Sequence, residues 1–374
     1  MSPAGSWNYW QHRQGWYRYS IQDAATRASC LACPAYRPVA CGGDSLNNVS
    51  MKHTLSRRQV LVSAAAVATG IASSPSGKGA EVASSNDSVA KIQAAAKDVK
   101  YCLNMSTIRG QKLTLPRQVE VAAKAGYQAI EPWMGELDQF VQDGGKLADL
   151  RKQIEDAGLT VESAIGFAQW IVDDDEKRKA GLEQAKKDMG TLQQLGGKRI
   201  AAPPTGATNQ TDLNLLKAAD RYRALLELGD TMGIIPQVEV WGFSTSLSRL
   251  GETMLVALEA RHPKACVLPD VYHLYKGGSE FSGLRMISSE SIQVFHMNDY
   301  PKEPPRATIK DADRVYPGDG IAPLGEILRT LFSNGFRGVL SLELFNPEYW
   351  KQDALEVAKR GLEKMKESVR KAVR

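Results

Sequence analysis

Four apolar runs in the carboxyl-terminal half of the chain each carry a side chain that prefers water. Ile235–Trp241 carries Glu239, and Cys266–Asp270 ends in Asp270, with His273 three residues on. Val294–Asp299 carries His296, and Leu340–Phe345 carries Glu343. An unpaired charge inside an apolar strand costs several kcal/mol, so each needs compensation. Separate buried salt bridges, or hydrogen bonds to loops, would do this one residue at a time. If the four converge, their three carboxylates also repel one another, and a single divalent cation resolves both problems. Three carboxylates and an imidazole form a hard, oxygen-rich donor set that suits Mn, Mg or Co, with Zn as a further candidate. An ion chelating a carbonyl and the adjacent hydroxyl stabilises the charge that develops when the neighbouring proton leaves. Carboxylates on two faces could move that proton and invert the centre, whereas one base working on one face would shift the carbonyl instead.

Such convergence needs a scaffold, and the chain repeats one phrase: amphipathic helix, glycine, short apolar strand. Gly126, Gly158, Gly196-Gly197, Gly233 and Gly335 each precede a strand-like run, at Tyr127–Glu131, Leu159–Ile165, Lys198–Ala201, Ile234–Val240 and Phe336–Leu344. Lys100–Met105, Ala265–Asp270 and Ser291–Met297 complete eight. Helices are predicted over Leu115–Ala125, Glu176–Leu195, Leu213–Met232, Ser246–Arg261 and Gln352–Val373. Alternating elements imply parallel strands with right-handed crossovers. Eight of them in residues 98–374 predict an α/β fold, a single-domain (β/α)8 barrel whose chemistry sits at the carboxyl ends of its strands. The open doubly wound sheet is the rival. It usually has a Gly-rich turn after its first strand, and here Leu103-Asn104-Met105-Ser106-Thr107 follows.

With Val238-Glu239-Val240-Trp241-Gly242, Asp270-x-x-His273, His296-x-x-Asp299 and Glu343, residues 98–374 resemble the xylose isomerase-like TIM barrels of the sugar phosphate isomerase/epimerase superfamily. The resemblance implies that Glu239, Asp270, His296 and Glu343 bind one divalent metal ion, and that Glu239 and Glu343 also move the proton. It implies that His273 contacts a substrate oxygen and that an Arg of the loop after the seventh strand, Arg314 or Arg306, meets the substrate.

Other positions carry weaker signals. Glu131, near the end of the second strand, is read as binding substrate hydroxyls or forming a structural salt bridge. Trp133, Trp170 and Trp241 follow strand ends, where they could stack on a sugar ring or simply pack. Asp299 is expected to orient His296. The long polar loop from Tyr300 to Gly320 is expected to act as a lid.

The front of the chain reads differently. Ser56-Arg57-Arg58-Gln59-Val60-Leu61, an apolar stretch to Ala72 and the small residues Gly70-Ile71-Ala72 resemble a twin-arginine export signal over residues 51–72. Residues 1–50 are then an upstream extension outside the mature protein, and 73–97 a flexible linker rich in Ser, Ala, Gly and Lys. This implies a periplasmic protein with no stable membrane anchor after cleavage, or a cytoplasmic one if the signal is unused. Residues 1–72 hold seven of the 47 basic and two of the 42 acidic residues, which leaves 40 of each behind. A neutral body argues against a nucleic-acid partner. Two cysteines there, Cys102 and Cys266, cannot form a disulfide framework or a Cys-rich zinc site. A DNA-repair nuclease on this scaffold would need more histidines than His262, His273 and His296.

The expected function is therefore metal-dependent epimerisation or isomerisation of a small-molecule carbohydrate, a sugar or keto-sugar, with room for a homo-oligomer. A lyase or dehydratase on the same site is the alternative, with His273 as its leaving-group acid. A non-catalytic sugar-binding barrel is the third reading.

Overall fold

The computed structural model describes residues 85–374. The expected extension, export signal and first part of the linker lie outside the described residues. In chain order the elements are α1 (Ser85–Asp98), β1 (Lys100–Asn104), α2 (Leu115–Ala125), β2 (Ala129–Glu131), α3 (Met134–Gln142), α4 (Leu147–Asp156) and β3 (Thr160–Val161). Then come α5 (Asp175–Gln194), β4 (Arg199–Ala202), α6 (Leu215–Met232), β5 (Ile235–Glu239), α7 (Leu250–Glu259), β6 (Val267–Leu268) and α8 (Val271–Gly277). The series ends with β7 (Val294–Met297), α9 (Leu324–Ser333), β8 (Val339–Leu342), α10 (Pro347–Trp350) and α11 (Ala354–Ala372).

All ladders are parallel, in the orders β3-β2-β1-β8-β7 and β4-β5-β6. The bridges Val267↔Ile292 and Asp270↔His296 join β6 to β7. Ala164 just past β3 joins β4, accepting from Ala201 N at 2.9 Å and donating to Arg199 O at 3.1 Å. These contacts close the expected barrel. The strands are shorter than their apolar runs, most clearly at β3 and β6, because regular pairing stops where the chain turns out to build the mouth. Gly126 and Gly233 end α2 and α6 at φ 91° and 68°, the left-handed conformation that lets the chain turn into the next strand.

One expectation is corrected. Ser85–Asp98 is a helix, not linker, and packs against the barrel with Ala95 and the following Val99 buried. Ile92, Ala95, Ala96 and Val99 form an i, i+3, i+4, i+7 stripe. Half of that stripe is alanine, which made the period weak.

Alternation along each strand positions the chemistry. Cys102, Ala129, Ile165, Ala201, Leu268, Val294 and Val339 form a small apolar cluster inside the barrel. Two residues further along the same faces come Asn104, Glu131, His296 and Ser341, all fully buried, and then Glu343. The interior thus changes from apolar to polar toward the carboxyl ends. At the amino end, buried Glu162 accepts from Lys100 at 2.7 Å, Lys198 at 2.8 Å and Arg199 at 3.1 Å. The larger core lies between strands and helices. Among the described residues no helix is long and apolar enough to cross a membrane.

Candidate active site

Asp270, His296 and Glu343 stand at the carboxyl ends of β6, β7 and β8, and each offers a ligand atom within 4.8 Å of the others. His296 Nε2 lies 3.1 and 3.3 Å from the two oxygens of Glu131. Its Nδ1 lies 3.3 Å from Glu343 and 3.9 Å from Asp270, without a hydrogen-bond partner. Glu131 is fixed in turn by Ser341 Oγ at 2.7 Å and Asn104 Nδ2 at 2.9 Å. A carboxylate that takes the far ring N–H leaves Nδ1 free to bind a cation. Glu131 therefore orients the histidine, the salt-bridge alternative of its two readings: both its oxygens accept from protein donors and it is fully buried. Asp299 does not orient His296. It accepts from the backbone N–H groups of Tyr300, Gly318 and Ala322 at 2.8–2.9 Å and so ties down the loop after β7.

Asp270 caps α8 by accepting from His273 N at 2.7 Å, and its other oxygen accepts from Asn298 Nδ2 at 2.7 Å. Arg314 Nη1 bridges that oxygen and Glu343, each at 2.9 Å, while Nη2 reaches Asp311 at 2.6 Å. The guanidinium lies over the rings of Tyr272 and Phe345. Of the two arginines weighed for the loop, Arg314 thus enters the site, and Arg306 stays exposed. Arg314 holds protein carboxylates with both terminal nitrogens, and only its Nε lacks a partner. His273 Nε2 accepts from Arg314 Nη2 at 3.1 Å, and its Nδ1 lies 3.4 Å from Gly242 N. Burial, and then Arg314, push its pKa down to about 3, so the ring is neutral.

Glu239 ends β5 beside this trio but outside its close cluster. It is 3% exposed, and its Oε2 has no partner. Burial raises its pKa well above the usual carboxylate range; His296 opposes that shift, and Glu343, Asp270 and Glu131 add to it. Burial works the same way on Glu343, yet His296 and Arg314 outweigh it and hold that carboxyl low. Burial opposes a charge on His296, but Glu343 and Glu131 raise its pKa well above the ordinary value. The pocket thus calls for positive charge between these groups. Two buried, unpartnered donor atoms, His296 Nδ1 and Glu239 Oε2, beside two more carboxylates fit a divalent cation.

The tryptophans divide. Trp133 is half-buried and donates from Nε1 to Asn104 Oδ1 at 2.9 Å, and Trp241 is half-buried at the end of β5. Trp170 is fully buried, donates to Pro203 O at 2.9 Å and packs on Tyr222, so it is core. Sequence reasoning missed Asn104, whose Nδ2 also donates to Glu343 at 3.1 Å and so ties Glu131 and Trp133 to that glutamate. A polar residue ending the apolar run of β1 was its only local signal.

With this geometry in place, the comparisons with known proteins are consistent. Inosose isomerase of Bacillus licheniformis is 28% identical over 278 residues, covering 73% of this chain and 99% of the relative. A 3-dehydroshikimate dehydratase of Pseudomonas putida is 24% identical over 242 residues, 62% of this chain but 36% of that longer protein. The crystal structure of the IOLI protein with a bound zinc atom superposes with a TM-score of 0.68 at 24% identity, covering 73% of this chain and 99% of that one. A D-psicose 3-epimerase structure gives 0.62 at 16% identity, covering 74% and 100%. Residues 119–368 match the xylose isomerase-like TIM barrel family. The chain belongs to that family.

Proposed function

We propose that this protein is a divalent-metal-dependent isomerase or epimerase of a sugar or keto-sugar. The observation that carries the reading is the convergence of Asp270, His296 and Glu343, with Glu239 unpartnered beside them. Those four residues would hold the ion, with Mn, Mg or Co favoured by the oxygen-rich donors and Zn supported by the similar zinc-bound structure. When bound, it would supply Lewis acidity to a substrate carbonyl and the adjacent hydroxyl. Glu239 and Glu343 come from β5 and β8, three places apart round the barrel, and so approach a substrate from different sides. One takes the proton beside the carbonyl; if the other returns it the centre inverts, and if the first returns it to the neighbouring carbon the carbonyl moves. Asn104 holds Glu343 in place, and Glu131 holds His296.

A dehydratase on the same site is the second reading, because a relative of that activity covers 62% of the chain. His273 does not suit the leaving-group acid such a reaction needs, since its Nε2 accepts from Arg314 and its Nδ1 is turned to the backbone of Gly242. The twin-arginine pattern supports export to the periplasm, where unphosphorylated carbohydrates are the available substrates.

The test pairs the native protein with Glu239→Gln and Glu343→Gln. The native protein is expected to bind about one equivalent of divalent metal and to exchange substrate protons in D2O. Each variant should lose exchange by at least about 100-fold. A native protein that takes up no metal, or variants that exchange at the native rate, would refute the reading.

A further inference from the structure

Glu343 stands one residue beyond regular structure. β8 ends at Leu342, whose partner on β1 is Leu103, while on the other side Glu343 N donates to Met297 O of β7 at 3.2 Å. Continued by one residue, the parallel ladder with β1 would take up the carbonyl of Leu342 and the N–H of Leu344, the two groups that flank Glu343 on that side. β1 does not supply those bonds, because the chain turns away after Asn104 into a 3-10 turn, Met105–Gln111. Leu342 and Leu344 are fully buried, so their backbone groups need a partner from the protein.

Thr107, itself fully buried, stands in for the missing strand. Its Oγ1 donates to Leu342 O at 2.9 Å and accepts from Leu344 N at 3.2 Å. A hydroxyl carries both a proton and lone pairs, so one side-chain atom satisfies a carbonyl and an amide together. The turn that carries Thr107 is anchored in its own right. Asn104 Oδ1 accepts from Ser106 N at 3.0 Å, and Trp350 Nε1 donates to Ser106 O at 3.0 Å. Gly110 lies so close to Trp350 that a Cβ there would come within 2.2 Å of that side chain. Asn104 and Arg314 hold the Glu343 carboxylate itself. Those bonds fix its position only if the Cα behind it stays in place, and Thr107 grips the peptides on both sides of that Cα.

A hydroxyl clamp of the same kind lies at the other end of the barrel. Tyr222 Oη is 2.8 Å from Pro236 O and 2.9 Å from Cys266 O, and it accepts from Cys266 N at 3.3 Å. It bridges the amino-terminal ends of β5 and β6 and touches none of the four candidate metal ligands. Loss of either clamp leaves buried backbone groups unpaired, but only the Thr107 clamp encloses Glu343.

Resting on the metal-dependent reading above, we propose that Thr107 is a positioning residue for Glu343: its hydroxyl grips the backbone on either side of that glutamate and so sets where the carboxylate meets metal and substrate.

Thr107→Val keeps the side-chain shape and removes both bonds, Thr107→Ser keeps both, and Tyr222→Phe removes the distant clamp. The three full-length variants and the native protein are compared by chelator competition for Mn, by amide hydrogen exchange and by urea unfolding. Thr107→Val is expected to bind Mn about 10-fold more weakly, as loss of a group that supports a ligand does. Its Leu344 amide should exchange at least about 10-fold faster than in the native protein. Thr107→Ser should restore both to within about 3-fold of native. Tyr222→Phe should unfold at lower urea yet keep native Mn affinity, whereas a merely structural Thr107 would behave as Tyr222 does. The native protein gives a check that needs no variant: Mn should slow exchange at the Leu344 amide more than at the Cys266 amide that Tyr222 holds. Native Mn affinity in Thr107→Val, a loss in Thr107→Ser or Tyr222→Phe as large as in Thr107→Val, or equal slowing of the two amides overturns the proposal. A native protein that takes up no Mn refutes the metal-dependent reading and the role of Thr107 with it. A native protein that binds Mn beside an unaffected Thr107→Val refutes the proposal alone, so the two failures are distinguishable.

Discussion

Glu131→Gln tests whether the metal-facing histidine is held from behind. The wild-type carboxylate accepts from Asn104, Ser341 and His296 within 2.7–3.3 Å and is fully buried. Alanine would leave those donors unpaired around a cavity, at about 1–3 kcal/mol each, and would confound folding with binding. Glutamine keeps the shape but removes the charge that makes His296 a stronger base, and it turns one acceptor into a donor. Losing such an outer partner weakens metal affinity about 10- to 100-fold, or roughly 1.4–2.7 kcal/mol. The assay is competition for Mn and Zn against a chromophoric chelator, run beside Asp299→Asn. Asp299 is the residue that sequence spacing assigns to this work, and the structure ties it to the loop backbone instead. The Asp299→Asn protein should keep near-native affinity. Native affinity in Glu131→Gln, or an equal loss in Asp299→Asn, would refute the assignment.

Two stability predictions follow from buried carboxylates outside the site. Asp188 on α5 is 2% exposed, and burial raises its pKa to about 6. The folded state therefore keeps a proton that the unfolded chain releases above about pH 4, so stability falls as pH rises from 4 to 6 and stays reduced above that. Asp188→Asn should gain about 2–3 kcal/mol in urea unfolding at pH 8 and much less at pH 4.5; an equal gain at both, or a loss at pH 8, contradicts the sign. Glu162 is opposite: burial raises its pKa, but Lys100 and Lys198 outweigh it and bring it down to about 2. Its contribution is present above about pH 4.5 and is lost as pH falls toward 2. Glu162→Gln should cost about 2 kcal/mol at pH 7, discounted for the exposed lysines, and the two proteins should converge on acidification; an undiminished difference at pH 3 would argue against the ion cluster. The proposed export signal has its own measurement. Replacing Arg57-Arg58 with two lysines in the full chain should abolish periplasmic recovery and leave the protein in the cytoplasm. Equal periplasmic yields would remove the argument for an unphosphorylated substrate that rests on location.

Much of this protein was legible because its signals are local. The recurrence of helix, glycine and strand exposes the barrel, since periodicity and helix termination are properties of a few adjacent residues. A charge within an apolar strand needs no partner in view to be anomalous, and so Glu239, Asp270, His296 and Glu343 stood out. Helix α1 escaped notice because half of its apolar stripe is alanine. What tertiary structure alone decided is which group serves which. Glu131 reaches His296 across 165 positions, and Asn104 reaches Glu343 across 239. Arg314 rather than Arg306 enters the site, and Asp299 turns to the loop. Barrel closure sets the register between distant strands, and loop paths set which side chains enter the mouth. Neither quantity is written in the spacing of neighbouring residues.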